Sequence, residues 1–393
     1  MSVLPLHLPP GVSWIDRPQA LAEALPALRA AGELAIDTEA DSYYAYRVKV
    51  CLLQVSTREH DYLIDPLAGL ELGPIGELCA DRRILKVFHA GANDVALLRH
   101  RHGFAFEGLF DTMLAAQVLG LRRPGLAALL SERFGVVQSK AFQTSDWSRR
   151  PLTAGQAEYA AADTHYLLPL KDQLLAELEA KGRLEEAAED FERLREVEHA
   201  ERVLDEDAFR RTPGAAALDA PGLRTLHDLF ELRDRIAIRR DRSPHRIFPD
   251  HALVELARLR PSRREELASV RGLPRWLRER EERELLEVIA AARAKGPLPP
   301  ARRRARHENG ELPLGELERE VFEALRGWRR ERSAERDVDE ARIATTGTLR
   351  QIARASGLTR ERLLDVPGMS PYRVREYGDD ILRVVAEARA GRR

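Results

Sequence analysis

The chain has 393 residues, 44% of them hydrophobic, with a formal net charge of −1. That length exceeds one typical core and predicts two or three domains. No apolar run approaches the ~20 residues of a membrane span, and the opening MSVLPLHLPPGVSW lacks a basic start followed by an apolar stretch, so neither a spanning helix nor a signal peptide is expected.

The near-zero charge hides an asymmetry. Residues 1–200 carry 21 Lys and Arg against 29 Asp and Glu, a net −8, whereas residues 201–393 carry 42 against 35, a net +7. An acidic module joined to a basic one suggests a metal-using part and a polyanion-binding part. An Arg-rich proteome is the competing account, since Lys295 is the only lysine after residue 200. Cys51 and Cys79 have no metal-binding spacing and read as reduced core thiols, which fits a cytoplasmic setting.

In chain order, a short lead precedes an amphipathic helix from Pro18 to Ala30. A buried strand follows at residues 34–39. Residues 48–57 and 62–64 are two further strands whose short connection makes them antiparallel neighbours. Another strand, 84–88, passes through His89-Ala90-Gly91-Ala92 into a helix over 93–101. Helices are expected at 111–119 and 126–134, then a polar, irregular stretch over 135–152. Thr153 with Gln156 is a capping box that opens one long helix to about Ala180. These elements predict an α/β domain with a mixed sheet over residues 1–200. Gly182 interrupts the helix, and the densely charged stretch 185–201 reads as a solvated helical link.

Two all-helical segments follow, placed as domains over 215–295 and 312–393. Gly296-Pro297-Leu298-Pro299-Pro300 and Arg302-Arg303-Arg304 form a linker between them. The segments read as a divergent repeat. Leu226, Leu229 and Leu232 open one, and Leu317, Phe322 and Leu325 the other. Each has a later turn containing glycine, Gly272 or Gly368.

Chemistry concentrates in the first module. In Leu34-Ala35-Ile36-Asp37-Thr38-Glu39 an apolar run ends in two acids that share one strand face. Side-by-side carboxylates repel unless a cation separates them, and hard oxygen ligands suit Mg²⁺ or Mn²⁺. An ordinary strand end with solvated acids is the alternative. Asp94 sits at a helix start after a strand, where an acid also simply complements the dipole. Tyr159 and Asp163, four apart, lie on one helical face beside three small alanines. Asp111 is read as the cap of the helix starting at Thr112, and His89 as a structural histidine before a metal ligand.

Taken together, Asp-x-Glu on a first strand, an aspartate after a later strand and Tyr-x-x-x-Asp on a late helix resemble the DEDDy 3′–5′ exonucleases. Val50-Cys51-Leu52-Leu53-Gln54-Val55, Lys86-Val87-Phe88-His89-Ala90, Phe110-Asp111-Thr112, Ser145-Asp146-Trp147 and Arg150-Pro151-Leu152 extend the resemblance to ribonuclease D over about 30–180. Both helical segments resemble the helicase-and-ribonuclease-D C-terminal (HRDC) domain, the second more closely through Pro367-Gly368, Tyr372-Arg373-Val374, Tyr377-Gly378 and Ile381-Leu382. The resemblance implies a ribonuclease-H-like exonuclease fold followed by two HRDC domains. It also implies two divalent ions, Mg²⁺ or Mn²⁺, bridged by Asp37. Glu39 and Asp163 would complete the site of the ion holding the attacking water, Asp94 would support the second through water, and Tyr159 would orient the nucleophile. The implied substrate is RNA with a free 3′ end, tRNA precursors above all, with no membrane and no obligate protein partner.

Single-strand contacts are expected from Trp147, Arg149 and Arg150, and phosphate contacts from Arg239, Arg240, Arg242, Arg302, Arg303, Arg304 and Arg373. A DNA exonuclease or a silent RNA-binding relative are the competing functions. No GxxxxGK loop followed by Ser or Thr exists, which excludes a P-loop helicase.

Overall fold

The computed structural model describes residues 8–138, 141–200, 205, 207–298 and 313–390. They form two compact units, one of residues 8–39, 50–199 and 313–390, the other of residues 40–49 and 200–298. Among the described residues no helix is long and apolar enough to cross a membrane.

The first unit is built on a six-stranded mixed sheet. Its strands are β1 (Val12–Ile15), β2 (Glu33–Ala40), β3 (Val50–Ser56), β4 (Asp61–Ile64), β5 (Leu85–Phe88) and β6 (Leu109–Asp111), in the order β1-β4-β3-β2-β5-β6. β3 and β4 pair antiparallel, as expected, while β1/β4, β2/β5 and β5/β6 are parallel. β3 is buried along its whole length, as a strand covered on both faces must be. Helices α1 (Pro18–Ala30), α2 (Gly73–Ala80), α3 (Ala92–His102), α4 (Thr112–Val118), α5 (Leu126–Phe134), α6 (Ala154–His165), α7 (Leu167–Ala180) and α8 (Leu184–Leu194) complete the α/β part.

Two sequence expectations change here. The single helix opened by the capping box is two helices that meet at Tyr166. Pro169 explains the break, because its ring would clash with the carbonyl of His165 in a continuous helix. α8 is not a solvated link. Its Ala187, Phe191 and Leu194 are buried, the first two packing with Phe110, Leu174 and Leu178.

The other face of α8 meets the second helical segment, α15 (Glu316–Arg336) to α19 (Pro371–Ala390). Glu186 pairs with Arg336 at 2.5 Å and Arg342 at 3.5 Å, Asp190 pairs with Arg342, and Glu189 accepts the Tyr372 amide at 2.7 Å. Arg183 donates to the Arg336 carbonyl at 2.7 Å. Glu186, Asp190, Arg336 and Arg342 are all under a fifth exposed, so these charges lie in a largely dry seam.

The two helical segments are copies in a fixed register. The first comprises α9 (Ala220–Arg240), α10 (Pro244–Ile247), α11 (Asp250–Leu259), α12 (Arg264–Leu267), α13 (Arg275–Arg280) and α14 (Glu282–Ala294). The second comprises α15, α16 (Glu340–Ile343), α17 (Thr346–Arg354), α18 (Arg360–Leu363) and α19. Buried Arg233 donates to the Phe248 carbonyl, and buried Arg329 to that of Ala344. Asp241 (φ +45°) and Asp337 (φ +50°) end the two long helices in the left-handed region. Gly272 (φ +82°) and Gly368 (φ +88°) make the later turns, where a Cβ would collide with His251 in one copy and Thr348 in the other. The arginines, aspartates and glycines of these pairs are each separated by the same 96 positions (233 to 329, 241 to 337, 272 to 368).

Candidate active site

The site sits past the carboxyl end of the β2/β5 pairing. The β2/β5 pairing ends at Ala35 opposite Val87, so Asp37 and Glu39 lie beyond it. Ligands in open α/β sheets bind at such strand ends. A cleft of about 840 Å³ opens there, lined by Asp37, Thr38, Glu39, His89, Asn93, Asp94, Arg123, Gln138, Tyr159 and Asp163 among others.

Asp94 arrives through a tight β5–α3 turn. Gly91 is required in it, because a Cβ would stand 2.5 Å from that of Phe88. Asp111 locks the turn, as its Oδ2 accepts the Gly91 amide at 2.8 Å. Its Oδ1 accepts the amides of Met113 and Leu114 at 2.8 and 2.9 Å, so it caps α4 as the sequence predicts. Thr38 Oγ1 donates to Asp94 Oδ1 and fixes that carboxylate.

Tyr159 and Asp163 arrive on α6, whose Ala157, Ala160 and Ala161 are buried, Ala157 and Ala160 packing with Cys51, Leu52 and Leu63 of the sheet. Ligand oxygens of Asp37, Glu39 and Asp163 lie within 4.8 Å of one another. Gln138 Nε2 donates to Asp163, and Gln143 bonds to the Tyr159 hydroxyl. The Tyr159 ring rests between Trp147 and Phe142, with centroids 6.1 and 6.0 Å away. Thr38, Gln138 and Gln143 were not singled out from sequence, where nothing distinguishes them from ordinary polar residues.

Burial and mutual repulsion oppose ionisation throughout. Burial raises Glu39 to about 9, aided by Asp163 and Asp94. Asp37 is held well above the usual carboxylate range by burial and then by Asp94, Asp163 and Glu39. Burial carries Asp94 to about 6 and Asp163 to about 7. A hard divalent cation relieves this cost, and an all-oxygen trio at this spacing fits one. Burial also lowers His89 to about 4, so its imidazole is neutral. His89 Nδ1 lies 2.9 Å from Thr112 Oγ1, which itself donates to the Phe88 carbonyl, so His89 is a satisfied structural residue that also lines the cleft.

Several expected nucleic-acid contacts are corrected. Trp147 is 1% exposed and offers no face to a base. Arg150 makes two bonds to Asp65, at 2.6 and 2.7 Å, and one to the Cys51 carbonyl, stapling its loop to the sheet. Arg373 is 8% exposed and donates to the carbonyls of Gly368 and Arg342. Arg239 and Arg240 are compensated by Glu281, and Arg239 also by Glu284. Arg149 remains on the surface, paired with Asp146 at 3.1 Å, and Arg242 is exposed. Arg302, Arg303 and Arg304 lie outside the described residues.

Comparison with known proteins agrees with this geometry. A family model described as 3′-5′ exonuclease matches residues 12–179, and the HRDC domain model matches 223–289 and 318–385. Ribonuclease D of Acidiphilium cryptum is 32% identical over 388 residues, spanning 96% of this chain and 95% of its own. The chain belongs to the ribonuclease D family. As a member it is a hydrolytic 3′–5′ exoribonuclease, with an α/β exonuclease domain followed by HRDC domains. Ribonuclease D of Escherichia coli is 36% identical over 259 residues, 65% of this chain and 68% of its own. The crystal structure of the E. coli protein, described as an exoribonuclease involved in structured RNA processing, superposes with a TM-score of 0.64 at 26% identity, covering 96% of this chain and 99% of that one. The exosome complex exonuclease RRP6 of Saccharomyces cerevisiae is 32% identical over 269 residues, and the chain spans only 36% of that protein.

Proposed function

We propose that this ribonuclease D-family chain trims the 3′ ends of structured RNAs, tRNA precursors foremost, using two divalent ions and releasing nucleoside 5′-monophosphates. The observation that carries the reading is the trio of Asp37, Glu39 and buried Asp163, with ligand oxygens within 4.8 Å of one another and Tyr159 one helical turn from Asp163. Two bound ions, Mg²⁺ or Mn²⁺, would supply charge for the leaving 3′-oxygen and activate the attacking water. Asp37, Glu39 and Asp163 would hold them, with Asp94 outside the tight trio and steadied by Thr38. Tyr159 orients the attacking water through its hydroxyl. This positioning role needs no ionised phenol, and in the metal-free chain burial and three carboxylates push its ionisation above the ordinary tyrosine range. The two buried cysteines, which form no disulfide, accord with work in a reducing cytoplasm.

The test is degradation of 3′-labelled single-stranded RNA, DNA and a tRNA precursor with a 3′ extension, each with and without EDTA. The expected result is metal-dependent release of 5′-monophosphates from RNA, ending near the mature tRNA 3′ end. Equal turnover in saturating EDTA overturns the metal mechanism, and a preference for DNA overturns the substrate.

A further inference from the structure

The ten residues that follow Glu39 belong to the second unit, with the first helical repeat. Asp41 closes this loop at its base, bonding the Lys49 amide at 2.7 Å, while its own amide reaches the Lys49 carbonyl at 3.4 Å. Three more bonds hold it to the repeat. Ser243 N donates to the Tyr44 carbonyl at 2.9 Å, Tyr46 Oη to Asp234 at 3.0 Å, and Arg47 N to Asp241 at 2.8 Å.

A loop fixed at so many points nonetheless presents a large ring. Tyr43 is 50% exposed. Its ring centroid lies 4.4 Å from that of His245 and 5.4 Å from that of Tyr44, and the Arg246 guanidinium sits 5.3 Å from it and 4.2 Å from Tyr44. Arg242, His245 and Arg246 are all exposed. Unlike Arg239 and Arg240, neither Arg242 nor Arg246 has a carboxylate within ion-pair distance among the described residues. A scattered surface tyrosine needs no explanation. An immobilised one, with the uncompensated Arg246 beside its ring and Arg242 one residue before the loop's Ser243 anchor, has the make-up of a single-strand stacking site: an aromatic face for a base and guanidinium groups for phosphates.

We propose that Tyr43, with His245 and Arg246, stacks one unpaired base of the RNA strand upstream of its 3′ end, and that Arg242 and Arg246 meet the adjoining phosphates. This rests on the exoribonuclease reading for its choice of strand, and it adds a substrate-holding element drawn from both the exonuclease sequence and the first repeat.

The experiment measures equilibrium binding of a 5′-labelled 12-nucleotide oligoadenylate RNA to the full chain, with Asp37→Ala in every protein to prevent turnover. Tyr43→Ala is expected to weaken binding by roughly 5- to 150-fold, and Tyr43→Phe to stay within about twofold of the parent. Arg246→Gln should lower the slope of log K against log salt by about 0.7. In the active background, Tyr43→Ala should raise KM for the oligomer and leave dinucleotide turnover unchanged. Binding equal to the parent in Tyr43→Ala overturns the proposal, as does an equal loss in Tyr43→Phe. An equal fall in dinucleotide turnover also overturns it, because the loop then only braces Glu39. Failure of the chain with Asp37 intact to shorten RNA would refute the proposed function, while the binding series would still decide the platform.

Discussion

Replacing Tyr159 by phenylalanine isolates one oxygen. The ring is gripped by Trp147 and Phe142, and α6 is anchored by its capping box and by Thr164, whose hydroxyl lies 2.6 Å from that of Ser56. The phenyl ring therefore stays where the phenol ring was. On the proposed role, what is lost is one hydrogen bond to the attacking water, worth about 1.4–4 kcal/mol in the transition state, or ten- to a thousand-fold in kcat. RNA affinity should change by less than about twofold, since the hydroxyl is assigned to the water and not to the strand. Orienting a water needs the phenol in its neutral form, which burial and the neighbouring acids favour. Its removal should lower the whole pH–rate profile without changing its shape. Single-turnover kinetics on 3′-labelled RNA across pH 6–9, with a parallel binding isotherm, make the measurement. An unchanged kcat with weakened binding, or the disappearance of one limb of the profile, would refute the assigned role.

Asp37→Ala or Asp163→Ala should abolish turnover while circular dichroism and the second unit's stability stay near those of the parent; residual activity above a few per cent would contradict their place as metal ligands. Metal-free thermal stability should fall as pH rises. Asp94, Asp163 and Glu39 have folded values of about 6, 7 and 9, above the unfolded carboxylate range near 4, so their contribution is complete below pH 4 and is lost as pH passes through 6–9. Mg²⁺ or Mn²⁺ should restore Tm most at the high end, and a flat metal-free curve from pH 5 to 9 would refute the buried-acid reading. Glu186→Ala leaves Arg336 without its carboxylate in a largely dry seam, while Arg342 keeps Asp190, and should destabilise the first unit by about 3–5 kcal/mol, read by urea denaturation; a loss under about 1 kcal/mol would show the seam to be wet.

The acids were legible because local rules place them. An apolar run ending in Asp-x-Glu can hardly be other than a strand end, and Tyr159 and Asp163 share a helix face by period alone. The repeat was legible through its leucines and glycines. β1 and β6 were not, since four and three residues are too few to show a period. The break at Tyr166 was readable from Pro169 but outweighed by the strong capping box. For α8 the apolar stripe of Ala187, Phe191 and Leu194 has helical spacing, yet its charge density masked it. The partners of those charges lie 150 residues downstream for Glu186 and Arg336, beyond any local pattern. Trp147 and Arg150 failed for a related reason: an irregular loop that is rich in polar residues gives no sign of which side chains the core will take.

Asp241 and Asp337 occupy the same corner of two copies of one helical module, yet they plug into different sockets. The first receives the Arg47 amide and the Lys49 ammonium, at 2.8 and 3.4 Å, from the loop that follows Glu39. The second abuts Gly120, whose own left-handed turn leaves no room for a Cβ against the Asp337 carbonyl. Alignment would treat the two aspartates as interchangeable, and duplication supplied them as such. Lesions at the two positions should nevertheless diverge in phenotype: one loosens the loop that follows Glu39 in the sequence, the other the packing of a helix bundle on the nuclease core. Homologous ancestry here predicts shape, while the neighbour each corner acquired decides what its loss will cost the cell.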